Sequence, residues 1–207
     1  LLPAIDFKPR VCAVSYLNTV PLVWGLLRDS SLPNPFDLQF ALPAQCADQL
    51  SRGEADIGIV PAVEMARQQL AYFPHLGIAC RGPVRSILLV SKVPFEQIKT
   101  LATDNGSRTS VMLTRVLLKD QYGATPQVIS HPPELTTMLG KADAALLIGD
   151  AALRVDPETL PFHVLDLGAK WVESTGLPFV FAVWAGRKQH IRPEYGAALT
   201  ASLRYGL

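Results

Sequence analysis

An apolar run, Val11-Cys12-Ala13-Val14, ends in Ser15, Tyr16, Asn18 and Thr19 just before Pro21. Neutral hydroxyl and amide groups at the carboxyl end of a strand are what an open α/β sheet presents to a ligand. Tyr16 and Asn18 also suit local roles, a packed ring and an Asx turn or helix cap. A second group, Ser107-Arg108-Thr109-Ser110, opens a helical pattern. Free N–H groups and the dipole at such a start favour a carboxylate or phosphate. Ser107 fits both the cap of that helix and an anion ligand, while Arg108 either pairs with a carboxylate or faces water. Ser86 heads an intensely apolar run after the Gly82-Pro83 turn, where its hydroxyl either points at a ligand or starts the strand. Gly149 and Asp150 follow the buried-looking run Ala144–Ile148, with Asp150 also placed to cap a short helix over 151–153.

No G-x-S-x-G elbow, Walker-type loop, G-x-G-x-x-G or H-E-x-x-H occurs, and His75, His131, His163 and His190 are scattered. Covalent hydrolysis, nucleotide chemistry and zinc chemistry are therefore disfavoured. No metal site is expected. A cleft of Asn, Ser and Thr suits an anionic small molecule that is either carried or left to react largely by its own chemistry.

These residues need a scaffold, and short apolar runs alternating with helical patterns supply parallel β-α-β units. Strands are expected at Val11–Ser15, Leu38–Leu42, Ile57–Val60, Leu76–Cys80, Ser86–Val90, Thr100–Thr103, Gln127–Ser130 and Ala144–Ile148. Helices are expected at Thr19–Leu27, at Ala44–Arg52 with Cys46, Ala47 and Leu50 on one face, and at Ala62–Leu70. Further helices fall at Thr109–Tyr122 with Leu113, Val116 and Leu117 inward, at Glu134–Leu139, and at Pro193–Tyr205. Asp104-Asn105-Gly106-Ser107 reads as a turn, and Gly53 and Gly123 as helix stops.

A faint repeat joins Gly53-Glu-Ala-Asp56 to Gly140-Lys-Ala-Asp143, each read as a helix stop, Ala-Asp and a buried strand. Pattern alone leaves open whether this is a true repeat or a common helix-to-strand connection. The apolar segment Gly176–Ala185 is long enough to return from a second lobe to the first, so two facing lobes with a hinge of two crossovers are expected.

At 207 residues and 49% apolar composition the chain can bury a real core. Lys and Arg number 19 against 18 acids, a net charge of +1 without a basic block, so nucleic acid is not an expected partner. Cys12, Cys46 and Cys80 lack C-x-x-C spacing and read as reduced, packed thiols. The start lacks a leader pattern and no window approaches a membrane span, so a cytoplasmic protein is expected. Nothing in the pattern fixes an oligomeric state.

At these residues the chain resembles chorismate dehydratase of the futalosine route to menaquinone, a family built on the type II periplasmic-binding-protein fold. The matching segments are Val14–Leu22, Ala55–Ala62, Gly82–Leu89, Ser107–Ser110, Leu147–Leu153 and Thr175–Trp184, in the family's order over most of the chain. The related naphthoate-forming enzyme lacks the Ser-Tyr-Leu-Asn opening. The resemblance implies an α/β, two-lobed fold, each lobe a mixed or parallel sheet flanked by helices, with residues 1–88 plus 180–207 in the first lobe, 89–179 in the second and a cleft between. It also implies a hydro-lyase without a cofactor, converting chorismate to 3-[(1-carboxyvinyl)oxy]benzoate. Asn18 and Ser86 match the family's catalytic pair. Ser15, Tyr16, Thr19, Ser107, Arg108, Thr109, Ser110, Gly149 and Asp150 are the expected substrate contacts.

Neutral Asn is a poor base, so the expected proton acceptor is the substrate's own enolpyruvyl carboxylate, positioned by Asn18. Family members generally continue beyond the position of Leu207 with helical sequence packed on the first lobe, so the final helix is expected to lack a neighbour. The competing expectations are a non-catalytic solute receptor or sensor on the same scaffold, and a regulator's effector domain, which calls for a helix-turn-helix segment this sequence does not contain.

Overall fold

The computed structural model describes residues 8–31, 34–104, 106 and 108–207. In chain order the elements are β1 (Arg10–Val14), α1 (Val20–Arg28), β2 (Asp37–Ala41), α2 (Pro43–Arg52), β3 (Ile57–Pro61), α3 (Val63–Gln68), β4 (Ala71–Cys80) and β5 (Ile87–Ser91). They continue with β6 (Thr100–Thr103), α4 (Arg108–Tyr122), β7 (Gln127–Ser130), α5 (Leu135–Lys141), β8 (Ala144–Ile148) and α6 (Gly149–Leu153). The last are β9 (His163–Asp166), α7 (Leu167–Thr175), β10 (Phe179–Gly186) and α8 (Pro193–Gly206). No helix among the described residues is long and apolar enough to cross a membrane.

The chain divides into two compact units, one comprising residues up to Ile78 together with Ala182–Leu207, the other Ala79–Phe181. The sequence placed these passages at 88/89 and 179/180. All of β5 belongs to the second sheet, because it pairs antiparallel with both β8 and β9.

In the first unit the strand order is β2-β1-β3-β10-β4. β1 runs parallel to β2 and β3, and β10 runs antiparallel to β3 with Trp184 opposite Ile59. Every residue of β3 is buried, as expected of a central strand covered on both faces. α2 buries Ala44, Cys46, Ala47 and Leu50 and ends at Gly53 with φ +71°, a left-handed stop that suits glycine. α8 has a neighbour after all: it packs on α1. Ser202 Oγ accepts from the Leu26 N–H at 3.1 Å and donates to the Leu22 carbonyl at 3.0 Å. Gly25 makes this possible, since a Cβ there would lie 2.6 Å from the Ser202 Cα.

The second unit repeats the plan with order β7-β6-β8-β5-β9. β6 is parallel to β7 and β8, and β5 is antiparallel to β8. β6 thus stands where β1 stands, and β8 where β3 stands. The Ala-Asp repeat has a physical basis in this equivalence. Asp56, just before β3, accepts from the Arg10 N–H at 2.9 Å and from its guanidinium at 3.1 and 2.9 Å, fastening the start of β1. Asp143, just before β8, accepts from the N–H groups of Lys99 and Thr100 at 3.0 and 2.9 Å and from the Thr100 hydroxyl at 2.9 Å, fastening the start of β6. Burial pushes both carboxyls up, but the hydrogen bonds outweigh it and hold them below the ordinary range.

The glycine half of the repeat differs. α5 runs through Gly140 to Lys141, and its cap is Ala142 with extended backbone. In α4 the buried face carries Leu113, Thr114, Leu117 and Leu118, whereas Val116 is exposed. β9 and α7 were absent from the expected elements: β9 is a short edge strand with no fully buried residue.

Candidate active site

In the first unit the chain leaves β1 at Val14 and makes one turn of 3₁₀ helix over Leu17–Thr19 before α1. The Ser15 N–H still reaches the Ala41 carbonyl at 3.1 Å, so the ends of β1 and β2 carry the turn side by side. Ser15 and Asn18 are exposed, and Tyr16 packs partly against the core. Asn18 is neither an Asx turn nor a helix cap: the cap of α1 is Thr19, which makes no side-chain cap bond. Thr19 turns inward and its hydroxyl donates to Asn18 Oδ1 over a long 3.5 Å. Among the described residues the Asn18 amide nitrogen has no hydrogen-bond partner, which leaves two donors directed to solvent or ligand.

In the second unit the expected residues come from three strand ends on one sheet edge. Thr103 lies beside Leu146, and Ile87 faces Ile148, so the ends of β6 and β8 and the start of β5 share that edge. The Gly149 N–H donates to the Ser86 carbonyl at 2.8 Å, which brings Ser86, Gly149 and Asp150 together. Gly149 has φ +56°, where a side chain would be strained. Asp150 does not cap a helix over 151–153: α6 starts at Gly149, its cap is Ile148, and Asp150 falls within the first turn. Arg108, Thr109 and Ser110 form the first turn of α4 on the same edge, with Thr109 and Ser110 buried. Ser107 and Asn105 lie outside the described residues.

Ser86 is only 5% exposed, yet among the described residues its hydroxyl has no hydrogen-bond partner. A hydroxyl with no protein partner at a strand end keeps its donor and acceptor capacity for solvent or a ligand. The main chain around Ser86 is held by a residue the sequence did not single out. Asp166, the last residue of β9, accepts from the Val84 N–H at 3.0 Å and the Arg85 N–H at 2.7 Å, and caps α7 through the Ala169 N–H at 3.0 Å. Arg85 takes φ +61° in this turn. Gly168 lets the turn lie on α7, since a Cβ there would sit 2.7 Å from both Cys80 Sγ and the Gly82 carbonyl. An aspartate directly before a helix is a cap signal by which Asp166 could have been found.

Two more residues join the edge. Thr103 ends β6 nearly buried, and its hydroxyl also lacks a partner among the described residues. Its signal was the one that revealed Ser15, a polar residue ending an apolar run. Asp104 follows; burial pushes its carboxyl up, opposed by the Gly106 N–H at 2.9 Å. Among the described residues, no group of three or more His, Cys, Asp or Glu side chains is arranged to hold a metal.

Paired mixed α/β sheets of this order define a periplasmic-binding-protein-like architecture. A solved protein from Archaeoglobus fulgidus matches 96% of this chain and 75% of its own at TM-score 0.73 and 17% identity. The periplasmic aliphatic sulphonate binding protein SsuA from Escherichia coli matches 96% of this chain and 72% of its own at TM-score 0.61 and 16% identity. At sequence level the chain belongs to the menaquinone biosynthesis family, whose family model matches residues 9–207. It is 32% identical to a chorismate dehydratase from Thermus thermophilus over 91% of this chain and 72% of that protein. It is 30% identical to a chorismate dehydratase from Campylobacter jejuni over 82% of this chain and 63% of that protein.

Proposed function

We propose that this chain is a hydro-lyase that converts chorismate to 3-[(1-carboxyvinyl)oxy]benzoate, on the futalosine route to menaquinone and in the cytoplasm. Family membership and the two chorismate dehydratase relatives support the reaction. The observation that carries the site is the Ser86 hydroxyl, without a partner among the described residues and set in a turn whose main chain is held from two sides.

In the reaction a proton leaves C3 of the substrate ring, the C4–O bond breaks, and the departing hydroxide takes up a proton as water. The ring becomes aromatic, so the driving force lies in the substrate and the protein's task is orientation. The Asn18 amide directs the enolpyruvyl carboxylate, which accepts the C3 proton. The Ser86 hydroxyl donates to the departing oxygen. Ser15, Tyr16 and Asn18, together with Ser107, Arg108, Thr109 and Ser110, are the donors for the two carboxylates. Thr19 supports Asn18 through its hydroxyl. Asp150, a negative charge, suits a ring hydroxyl better than a carboxylate, and Gly149 serves through its close main chain.

The test is incubation with chorismate, the product identified by mass and followed by its aromatic ultraviolet band. Loss of one water from chorismate is the expected result, and Asn18→Asp and Ser86→Ala should each lower kcat on the order of 10²-fold or more. Chorismate bound but returned unchanged would replace the enzyme with a binding protein. Near-normal turnover in both variants would remove these residues from the chemistry.

A further inference from the structure

Cys12 on β1 and Cys46 on α2 are both fully buried, with their sulfurs 2.8 Å apart. Neither is disulfide-bonded, and the remaining thiol, Cys80, belongs to the second unit. A disulfide brings two sulfurs to about 2.05 Å, so only a small closing movement separates this pair from a bond. The two thiols also differ in character. The hydrogen bond from Cys46 holds the Cys12 thiol below its ordinary value against the opposing push of burial, while the same hydrogen bond, burial and the neighbouring charge drive Cys46 up. The shared hydrogen bond thus eases ionisation of one sulfur while its neighbour holds the proton, and the 2.8 Å separation places the second sulfur within reach of the first.

We propose that Cys12 and Cys46 form an oxidation site, converted by a hydroperoxide to a disulfide that staples α2 to β1. When local opening of α2 admits the peroxide to the pair, the Cys12 thiolate attacks the peroxide oxygen, the O–O bond breaks, and a sulfenic acid forms on Cys12 as hydroxide departs. The Cys46 thiol then attacks the Cys12 sulfur, the S–O bond breaks, and water leaves with the Cys46 proton. In sum two thiols and one hydrogen peroxide give one disulfide and two waters; the two cysteines lose two electrons and the peroxide gains them. The bond closes a loop between positions 34 residues apart that contains the whole Ser15–Thr19 turn. It constrains the unfolded chain and ties β1, the strand that leads into the Asn18 turn.

The experiment treats the full chain carrying Cys80→Ser with hydrogen peroxide, then measures intact mass and a non-reduced peptide map. Loss of two hydrogens with a linked Cys12–Cys46 peptide is expected, together with a rise of the thermal midpoint on the order of 5–10 °C that a reductant reverses. Unchanged mass, or gain of oxygen without the link, overturns the proposal. Cys46→Ala in the same background, its folding checked by circular dichroism, should not lose the two hydrogens; if it does, the bond is elsewhere and the proposal fails. The peptide map of the Cys80→Ser protein decides the matter even if that second variant does not fold.

Discussion

Removing the Asp166 carboxylate should loosen the turn that presents Ser86, and the structure sets the scale of the effect. In Asp166→Ala the α7 cap is lost, at about 1 kcal/mol. The Val84 and Arg85 amides lose a charged acceptor, at about 1 kcal/mol each once partial exposure is allowed for. Arg85, held at φ +61°, relaxes in part and returns some of this, for a net loss of about 2–3 kcal/mol. Urea unfolding followed by circular dichroism reads that change. Chorismate turnover reads its consequence: kcat should fall about 10-fold or more with KM little changed, because small misplacements of a positioned group are costly. Asp166→Asn separates the two roles, since asparagine is as good a cap but carries no charge for the loop amides. It should keep most of the stability and still lower kcat. A destabilised Asp166→Ala protein with full turnover would refute the link to Ser86.

Gly25→Ala places a methyl 2.6 Å from the Ser202 Cα and 3.0 Å from its carbonyl oxygen. The helix-propensity gain of about 1 kcal/mol is outweighed by overpacking of about 1–3 kcal/mol and by loss of the Ser202 hydrogen bonds, so a drop in the urea midpoint is expected. Asp56 should contribute to acid sensitivity. Its folded carboxyl lies below the ordinary value, so its stabilisation is complete above the unfolded value of about 4 and is lost as pH falls through the lower folded value. Asp56→Asn should cost about 1–2 kcal/mol at pH 7, with Arg10 being nearly half exposed, and should flatten the acid limb of a stability-against-pH curve.

Much of the scaffold was legible because it rests on local patterns. β1, β3 and β8 are short apolar runs with every or nearly every residue buried, and such runs announce themselves without knowledge of their partners. Gly53 stops its helix through left-handed backbone, a property of glycine itself. β9 escaped because it is an edge strand of partly exposed residues with no alternation to detect. Val116 was assigned inward because spacing alone cannot set the phase of a helix against its sheet; Leu118 occupies the buried face instead. The final helix found a neighbour in α1 because Gly25 and Ser202 permit a close approach between segments 177 positions apart, which no local window contains.

The candidate site divides along the same line. Ser15, Tyr16 and Asn18 were visible as polar residues ending an apolar run. Ser86 was visible as a hydroxyl at the head of one, but its pairing with Gly149, its support by Asp166 and its unpaired hydroxyl depend on contacts across more than sixty residues. By itself the sequence determined which segments are strands and helices, where polar groups break them, and which family the motifs resemble, since all of these are carried by neighbouring residues. Only the tertiary structure decided that β5 joins β8 and β9, that Asp56 and Asp143 fasten equivalent strands, and that Cys12 meets Cys46. Strand register and packing are settled by the whole core at once, and no single stretch of chain encodes them.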